Sequence, residues 1–321
     1  MINQDVKSFF LNTPQEITWI FSGLLVFLSL CSFLFFLLDK HKTSALSKEL
    51  ILRTKTWWKI ALLTLLIAIL PDIWAVIIIS YISFLAFREL ITVLPLDSIN
   101  RTSIALCYAA IPLYYAIIYL KWLSIDPSLL LVALFFMILF FSLRGLYIIA
   151  VRRAVILLFF SCFLTLYLPS HLILILQHTY TNPNIEPRLL LLFFIFLVSF
   201  NDVFQFTWGK LLGKTRLFPK TSPNKTLEGF ILGVLTTLIF GIVLRFLTPF
   251  SYSQTLIVSG MIGITGFLGD LTLSAIKRKI GIKDYGLALP GHGGVLDRID
   301  SLLFSAPIFY YLVVYLIFIY E

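Results

Sequence analysis

Apolar segments of membrane-spanning size recur along this chain from about residue 17 to residue 320, with no long polar linker between them. They fall near 17–38, 57–70, 73–93, 102–120, 129–143, 154–176, 188–209, 227–248, 255–276 and 301–320. A bilayer core takes about 20 apolar residues as a helix, and inside hydrocarbon the backbone must pair its own polar groups, which favours helices. Sixty per cent of the 321 residues are hydrophobic and 13% are charged, well outside soluble usage. The expectation is an all-α, polytopic integral membrane protein with about ten transmembrane helices. The count is nine to ten because the 57–70 run is short and tilt, re-entrance or a different boundary would each explain it. One continuous domain is expected, residues 1–180 forming an N-terminal lipid-embedding part and residues 181–321 a C-terminal transmembrane part.

Basic residues mark the cytosolic side of short loops. With ten spans, the loops 39–59, 94–101, 144–153, 210–226 and 277–300 hold 20 of the 25 Lys and Arg residues. The opposite connections at 71–72, 177–187 and 249–254 hold none, and 121–128 holds only Lys121. Both termini are therefore expected outside a cytoplasmic membrane, with every basic loop in the cytosol. Residues 1–16 carry Lys7 against Asp5 and Glu16 and lack the basic start of a cleaved signal, so 17–38 reads as a retained span. Leu30 before Cys31 argues against a lipoprotein site, and Cys31, Cys107 and Cys162 all lie in apolar runs where a thiol packs as a small hydrophobe. The net charge of +9 is confined to a few loops and includes no nucleic-acid module.

The polar chemistry concentrates in residues 274–301, SAIKRKIGIKDYGLALPGHGGVLDRIDS. Lys277, Arg278, Lys279 and Lys283 precede the turn Pro290-Gly291-His292-Gly293-Gly294, which leads to Asp297, Arg298 and Asp300. Cations, bare backbone N–H groups and paired carboxylates suit a phosphate ester with a divalent metal. His292 has no second histidine nearby, which favours substrate contact or turn structure over zinc. Asp202 and Asp270 lie within apolar runs, where an ionisable side chain is costly and usually faces an interior or wet cavity. Helical spacing puts Asp270, Ser274 and Lys277 or Arg278 on one face, so Asp270 is either a site residue or an ion-pair partner for those cations. Gly263, Gly266 and Gly269 equally suit close helix packing. The loop 209–229 contributes Lys210, Lys214, Arg216, Lys220 and Lys225, and Ser222-Pro223-Asn224-Lys225 leads into the next helix, a setting for phosphate or simply a topology signal. Arg88-Glu89 reads as an interfacial ion pair, and Arg245 as a residue snorkelling to the outer interface.

Residues 274–300 resemble the signature of the phosphatidate cytidylyltransferase (CDP-diacylglycerol synthase) family: Ser274, Lys277-Arg278, Lys283-Asp284, His292-Gly293-Gly294, Asp297-Arg298 and Asp300. The resemblance extends upstream through Gly269-Asp270, Asn201-Asp202, Gly209-Lys210, Ser222 to Thr226 and Glu228-Gly229, about residues 195–310, whereas the first 180 residues are similar mainly in being hydrophobic. It implies Asp270 and Asp297 as ligands of a centre containing Mg²⁺, with K⁺ as a second cation to consider. It also implies catalytic roles for Asp202, Asp270, Lys277, Arg278, Asp297 and Arg298. Substrate contacts are expected from Lys210, Ser222, Lys225, Ser274, Lys283, His292, Gly293, Gly294 and Asp300. The family commonly has Ser-Asp-Thr/Ser-Gly where this chain has Asn201-Asp202-Val203-Phe204, and often an acid at Leu273, so a divergent paralogue with an altered lipid acceptor fits as well.

The reaction implied is transfer of CMP from CTP to phosphatidate, giving CDP-diacylglycerol and pyrophosphate. Its expected partners are CTP, phosphatidate and the bilayer, with nucleic acid excluded and a homodimer left open. A CTP-dependent lipid kinase and a non-enzymatic transporter or scaffold are the rivals. The one-sided clustering of polar residues and the lack of an internal repeat argue against transport. In a background lacking native cysteines, a cysteine at Thr215 or Tyr285 should label only from the cytosol and one at Asn184 only from outside. Labelling of Tyr285→Cys in intact cells overturns the topology.

Overall fold

A computed structural model describes residues 15–41, 45–95, 101–121, 126–142, 148–178, 185–286, 288 and 293–319. The chain divides into two compact units, residues 1–75 with 289–292, and residues 76–288 with 293–321.

The first unit contains α1 (Gln15–His41) and α2 (Ala45–Ile69). Trp58 on α2 donates its indole N–H to Ser32 Oγ on α1 at 3.0 Å, and Ser32 returns its own proton to Leu28 O one turn back. Most large side chains of α1 face outward, among them Trp19, Phe27, Phe33 and Phe36, as a lipid-bathed helix requires. Helix α2 begins inside the stretch expected as a polar loop, and it carries Lys48, Lys55 and Lys59 before its apolar C-terminal part. The helix is continuous although only its C-terminal part is apolar.

The second unit begins within α3 (Asp72–Val93) and continues through α4 (Arg101–Tyr119) and α5 (Pro127–Ser142). Helix α6 (Ile148–Cys162) passes through one π turn, Phe163–Tyr167, into α7 (Leu168–Gln177). Then come α8 (Pro187–Leu212), strands β1 (Arg216–Phe218) and β2 (Ser222–Thr226), α9 (Leu227–Val243) with a 3₁₀ turn at Leu244–Leu247, α10 (Tyr252–Ile280) and α11 (Leu296–Ile319). Sequence-level caps set several ends. Pro187 opens α8, Thr226 Oγ1 accepts from Gly229 N at the start of α9, and Ser251 with Gln254 forms a capping box on α10. Gly281, at φ 87°, ends α10 in the left-handed conformation that glycine tolerates.

Eight helices among the described residues are long and apolar enough to cross a membrane, and the protein is an all-α polytopic membrane protein apart from one short ribbon. Helix α5, at 16 residues, is shorter than that, and α2 is too charged along its N-terminal half. Two boundaries differ from expectation. The loop 209–229 contains an antiparallel ribbon with Arg216 opposite Thr226 and Phe218 opposite Ser222, interrupted by a bulge. It is closed at its base by the Glu228 carboxylate, which accepts from Lys214 N and Thr215 N, and by Leu227 N donating to Thr215 O. Helix α11 starts at Leu296 rather than 301, so Asp297, Arg298 and Asp300 lie on its first turns and not in a loop. Arg245 donates Nε to Phe250 O at 2.7 Å and lies over the Tyr252 ring, which holds its guanidinium locally.

Helices α8, α9 and α10 pack through small residues and a polar knot. Asn201 Oδ1 accepts from Thr237 Oγ1 and from Gln205 Nε2, each at 3.0 Å, and Gln205 also donates to Gly263 O at 3.2 Å. A Cβ at Gly233 would lie 2.9 Å from Gln205 Cα. Gly233→Val should therefore force α8 and α9 apart and lower stability by about 1–3 kcal/mol, the range for overpacking. Gly260→Ala, whose Cβ would meet only Leu238 at 3.4 Å, should change it little. Thermal unfolding in detergent checks both, and equal midpoints for the two variants contradict this packing.

Candidate active site

Three helices of the second unit bring their carboxylates to one region. Asp202 comes from α8, Asp270 from α10, and Asp297 and Asp300 from the first turns of α11. The charge of Asp270 acts on both Asp202 and Asp300, and Asp202 acts on Asp300. Unanswered, such a cluster is prohibitive in a poorly solvated interior, so its partners define the site.

Lys225, near the end of β2, is the partner of Asp270, with Nζ 2.8 Å from Oδ2. The same ammonium donates to Phe267 O and lies 4.3 Å over the Phe267 ring. Ser274, one turn along α10, donates to Asp270 Oδ1 at 3.0 Å. The ion-pair alternative with Lys277 or Arg278 is thus corrected. The ammonium of Lys277 goes to α11, and Arg278, exposed at the end of α10, donates Nε to Thr221 O on the ribbon loop and NH1 to Ile282 O. Asp270 remains the most open of the paired acids, its side chain 36% exposed against 2% for Asp297.

Asp297 is held by three donors. Lys277 Nζ reaches Oδ1 at 2.7 Å, and the N–H groups of Tyr285 and Gly294 each reach Oδ2 at 2.9 Å. Tyr285 folds its ring 5.5 Å from that ammonium and donates its hydroxyl to Leu273 O. Burial, and then the Asp297 and Asp300 charges, push the Tyr285 phenol up from its ordinary value, so it stays a donor. Ser301 joins the remaining pair, Oγ donating to Asp202 Oδ1 and N to Asp300 Oδ1, both at 2.9 Å. Arg298 is exposed on the next face, and its charge acts on Asp202. Among the described residues, no group of three or more His, Cys, Asp or Glu side chains gathers at metal-binding spacing.

Asp202, Lys225, Asp270, Ser274, Lys277, Gly294, Asp297, Arg298 and Asp300 are therefore joined by contacts or by their fields, whereas other expected residues sit differently. Lys210 lies over the Phe206 ring on α8, Ser222 opens β2 opposite Phe218, and Lys283 is exposed after α10. Gly293 adopts φ 82° beside Asp297 and Asp284. His292 lies outside the described residues. Ser301, Tyr285 and Glu89 were not anticipated. Ser301 could have been suspected from its position beside Asp300, but the other two act through main-chain atoms that sequence patterns do not display. Glu89 is not the interfacial ion pair expected with Arg88. Successive helical side chains point about 100° apart, and here Arg88 is exposed while Glu89 is buried. Its carboxylate accepts from Val295 N and Leu296 N.

A family model described as the cytidylyltransferase family matches residues 51–316. The chain belongs to that family. Membership implies nucleotidyltransferase chemistry at a membrane. An uncharacterized protein of Escherichia coli, YnbB, is 36% identical over 279 residues, which cover 83% of this chain and 88% of that protein. Phosphatidate cytidylyltransferases of Staphylococcus haemolyticus and Aquifex aeolicus are 44% and 47% identical over 120 and 121 residues, 37% of this chain in each case. Those matches cover 46% and 45% of the two enzymes, less than half of either.

Removing one partner of a buried ion pair typically costs about 3–5 kcal/mol, whereas removing both can be nearly neutral. Lys277→Met should therefore destabilise the protein on that scale, and the added change Asp297→Asn should recover part of the loss. Denaturant unfolding in detergent checks this, and a stable Lys277→Met protein removes the pair from its structural role.

Proposed function

We propose that this cytidylyltransferase family member transfers CMP from CTP to phosphatidate at the cytosolic face of a cytoplasmic membrane. The convergence of Asp202, Asp270 and Asp300 from three membrane helices, with Lys225, Lys277 and Arg298 in the same electrostatic neighbourhood, carries the reading. The eight long apolar helices, with the more charged α2 and the shorter α5 as further crossings, would make the ten spans of the positive-inside topology, both termini outside.

In this reaction an oxygen of the phosphatidate phosphate attacks the α-phosphorus of CTP as the bond to the β-phosphate bridging oxygen breaks, and pyrophosphate departs. The nucleophile is already anionic near neutral pH, so no general base is needed. The difficulty is repulsion between anions, which positioned cations relieve. Lys225 and Arg298, with the exposed cations Arg278, Lys210 and Lys283, would neutralise the triphosphate and the leaving group, while Lys277 keeps Asp297 oriented.

The residues fit a Mg²⁺ requirement. Mg²⁺ commonly takes only one or two protein carboxylates, the rest being water and substrate phosphate, so the paired acids Asp270 and Asp297 suffice. Asp270 fits best because it is the more accessible. Asp297, with three of its roughly four acceptor positions engaged, could contribute one further lone pair. Held by Asp270 and Asp297, a divalent ion would supply charge neutralisation and Lewis-acid polarisation to the reacting phosphates.

With phosphatidate and CTP labelled at the α-phosphate, label should enter lipid and pyrophosphate should appear in equal amount, with loss on chelation. Asp270→Asn should cut turnover by about 100-fold or more, the scale of losing one preorganised electrostatic group, in a protein that still extracts folded. Transfer of γ-label to lipid with CDP release establishes the kinase instead. No CTP turnover with any phospholipid acceptor leaves the non-enzymatic reading.

A further inference from the structure

The buried Glu89 carboxylate on α3 is the residue that the reading above leaves unused. It is 5% exposed and lies between the core residues Ala86 and Leu90, which pack with Tyr285, Leu296 and Leu303. One oxygen accepts from Val295 N and the other from Leu296 N, both at 2.9 Å. Those are the first amides of α11, where unpaired N–H groups and the helix dipole concentrate positive potential. No basic side chain is needed to balance Glu89, because the end of the helix does so.

Two glycines enclose the same carboxylate. A Cβ at Gly286 would fall 2.6 Å from Glu89 Oε1, and one at Gly294 would overlap Oε2 and lie 2.8 Å from Cδ. Gly286 follows α10 and Gly294 precedes α11, so both ends of the glycine-rich turn close on one acid from a helix about 200 residues earlier in sequence, as the 206- and 207-residue separations of its hydrogen bonds record. The main chain so fixed also supplies the Gly294 N–H that Asp297 accepts, and leads directly into Asp297, Arg298 and Asp300. The helix start would otherwise be a ready phosphate cradle. Glu89 fills it with a protein anion, so substrate phosphates are directed to the side-chain cations.

We propose that Glu89 is a positioning residue for cytidylyl transfer: by holding the first amides of α11 with both carboxylate oxygens it sets the angle at which Asp297, Arg298 and Asp300 meet the substrates. The catalytic part of this inference rests on the reaction proposed above, and the structural part does not. In full-length protein in detergent, Glu89→Gln keeps the side-chain volume but leaves a single acceptor oxygen, so a mere packing role predicts normal behaviour. The expected result is a fall in kcat of about 10–100-fold, as for outer partners of catalytic groups, with KM for CTP changed less than about twofold. Hydrogen exchange at Val295 and Leu296 should accelerate, while exchange in the middle of α8 stays unchanged. Glu89→Ala should show the same two effects more strongly, and if it fails to fold, Glu89→Gln alone decides. Wild-type exchange at Val295 and Leu296 in Glu89→Gln overturns the inference whether or not the protein turns over CTP. Accelerated exchange with unchanged kcat overturns its catalytic half. Absence of turnover in the wild-type protein, with accelerated exchange in the variant, instead counts against the proposed reaction and leaves the clasp standing.

Discussion

Charge in a membrane interior must be answered locally, and the junction between α10 and α11 shows how this protein answers it. Lys277 leaves the last turn of α10 buried, crosses to the first turn of α11 and meets Asp297, whose other oxygen collects two main-chain N–H groups. A buried pair gains stability only when its remaining hydrogen-bonding capacity is met. Here that requirement falls on the backbone of the intervening segment, which makes the pair a device for fixing the path of the chain. The positive end of α11 is answered by an acid from a distant helix, so two carboxylates, Glu89 and Asp297, bind the amides where the last helix begins. The acids of the site inherit their directions from that beginning.

Much of this architecture is legible in the sequence because lipid imposes a simple rule on composition. Long apolar runs give most of the helices to within a few residues, α2 excepted because its charged N-terminal turns read as loop, and Thr226, Ser251 and Gly281 mark ends by familiar capping chemistry. The polar concentration after Ser274 is legible for the same reason, since it stands out against an apolar background. The start of α11 is less so. Asp297 and Arg298 read as loop because they are charged, yet an acid in a first turn is stabilised by the helix dipole and need not interrupt the helix. The ribbon before α9 is hidden in a different way. Its strands are only three and five residues long and it depends on Glu228 binding two amides, a contact no periodicity records.

Partner choice is the least legible feature. Spacing correctly allows Asp270 and Ser274 to meet on one face, but it equally offers Lys277 and Arg278 to that acid. The fold resolves the competition by bringing Lys225 to Asp270 from the ribbon and drawing Lys277 to α11. Glu89 departs from expectation for a related reason, because adjacency to Arg88 along the chain is not adjacency in space. In each case the deciding partner lies about 20 to 200 residues away, beyond the reach of a local spacing pattern.

Neighbouring positions on α8 divide structural from chemical work. Asn201 is fully buried and ties its amide to Thr237 on α9 and Gln205 on its own helix, while Asp202, one position on, accepts from Ser301 on α11. Of the residues that follow, Phe204 packs edge-on against Phe240 on α9, and Val203 is exposed. The departure from the commoner Ser-Asp-Thr/Ser-Gly pattern thus falls on side chains that make helix contacts or lie exposed, while the acid directed towards α11 is unchanged. A helix can vary three of four consecutive residues in this way because each points about 100° from the last, so only one of them faces the carboxylates. Changes of this kind alter how α8 seats against α9 and what surface it offers to lipid, leaving the charge balance of the site intact.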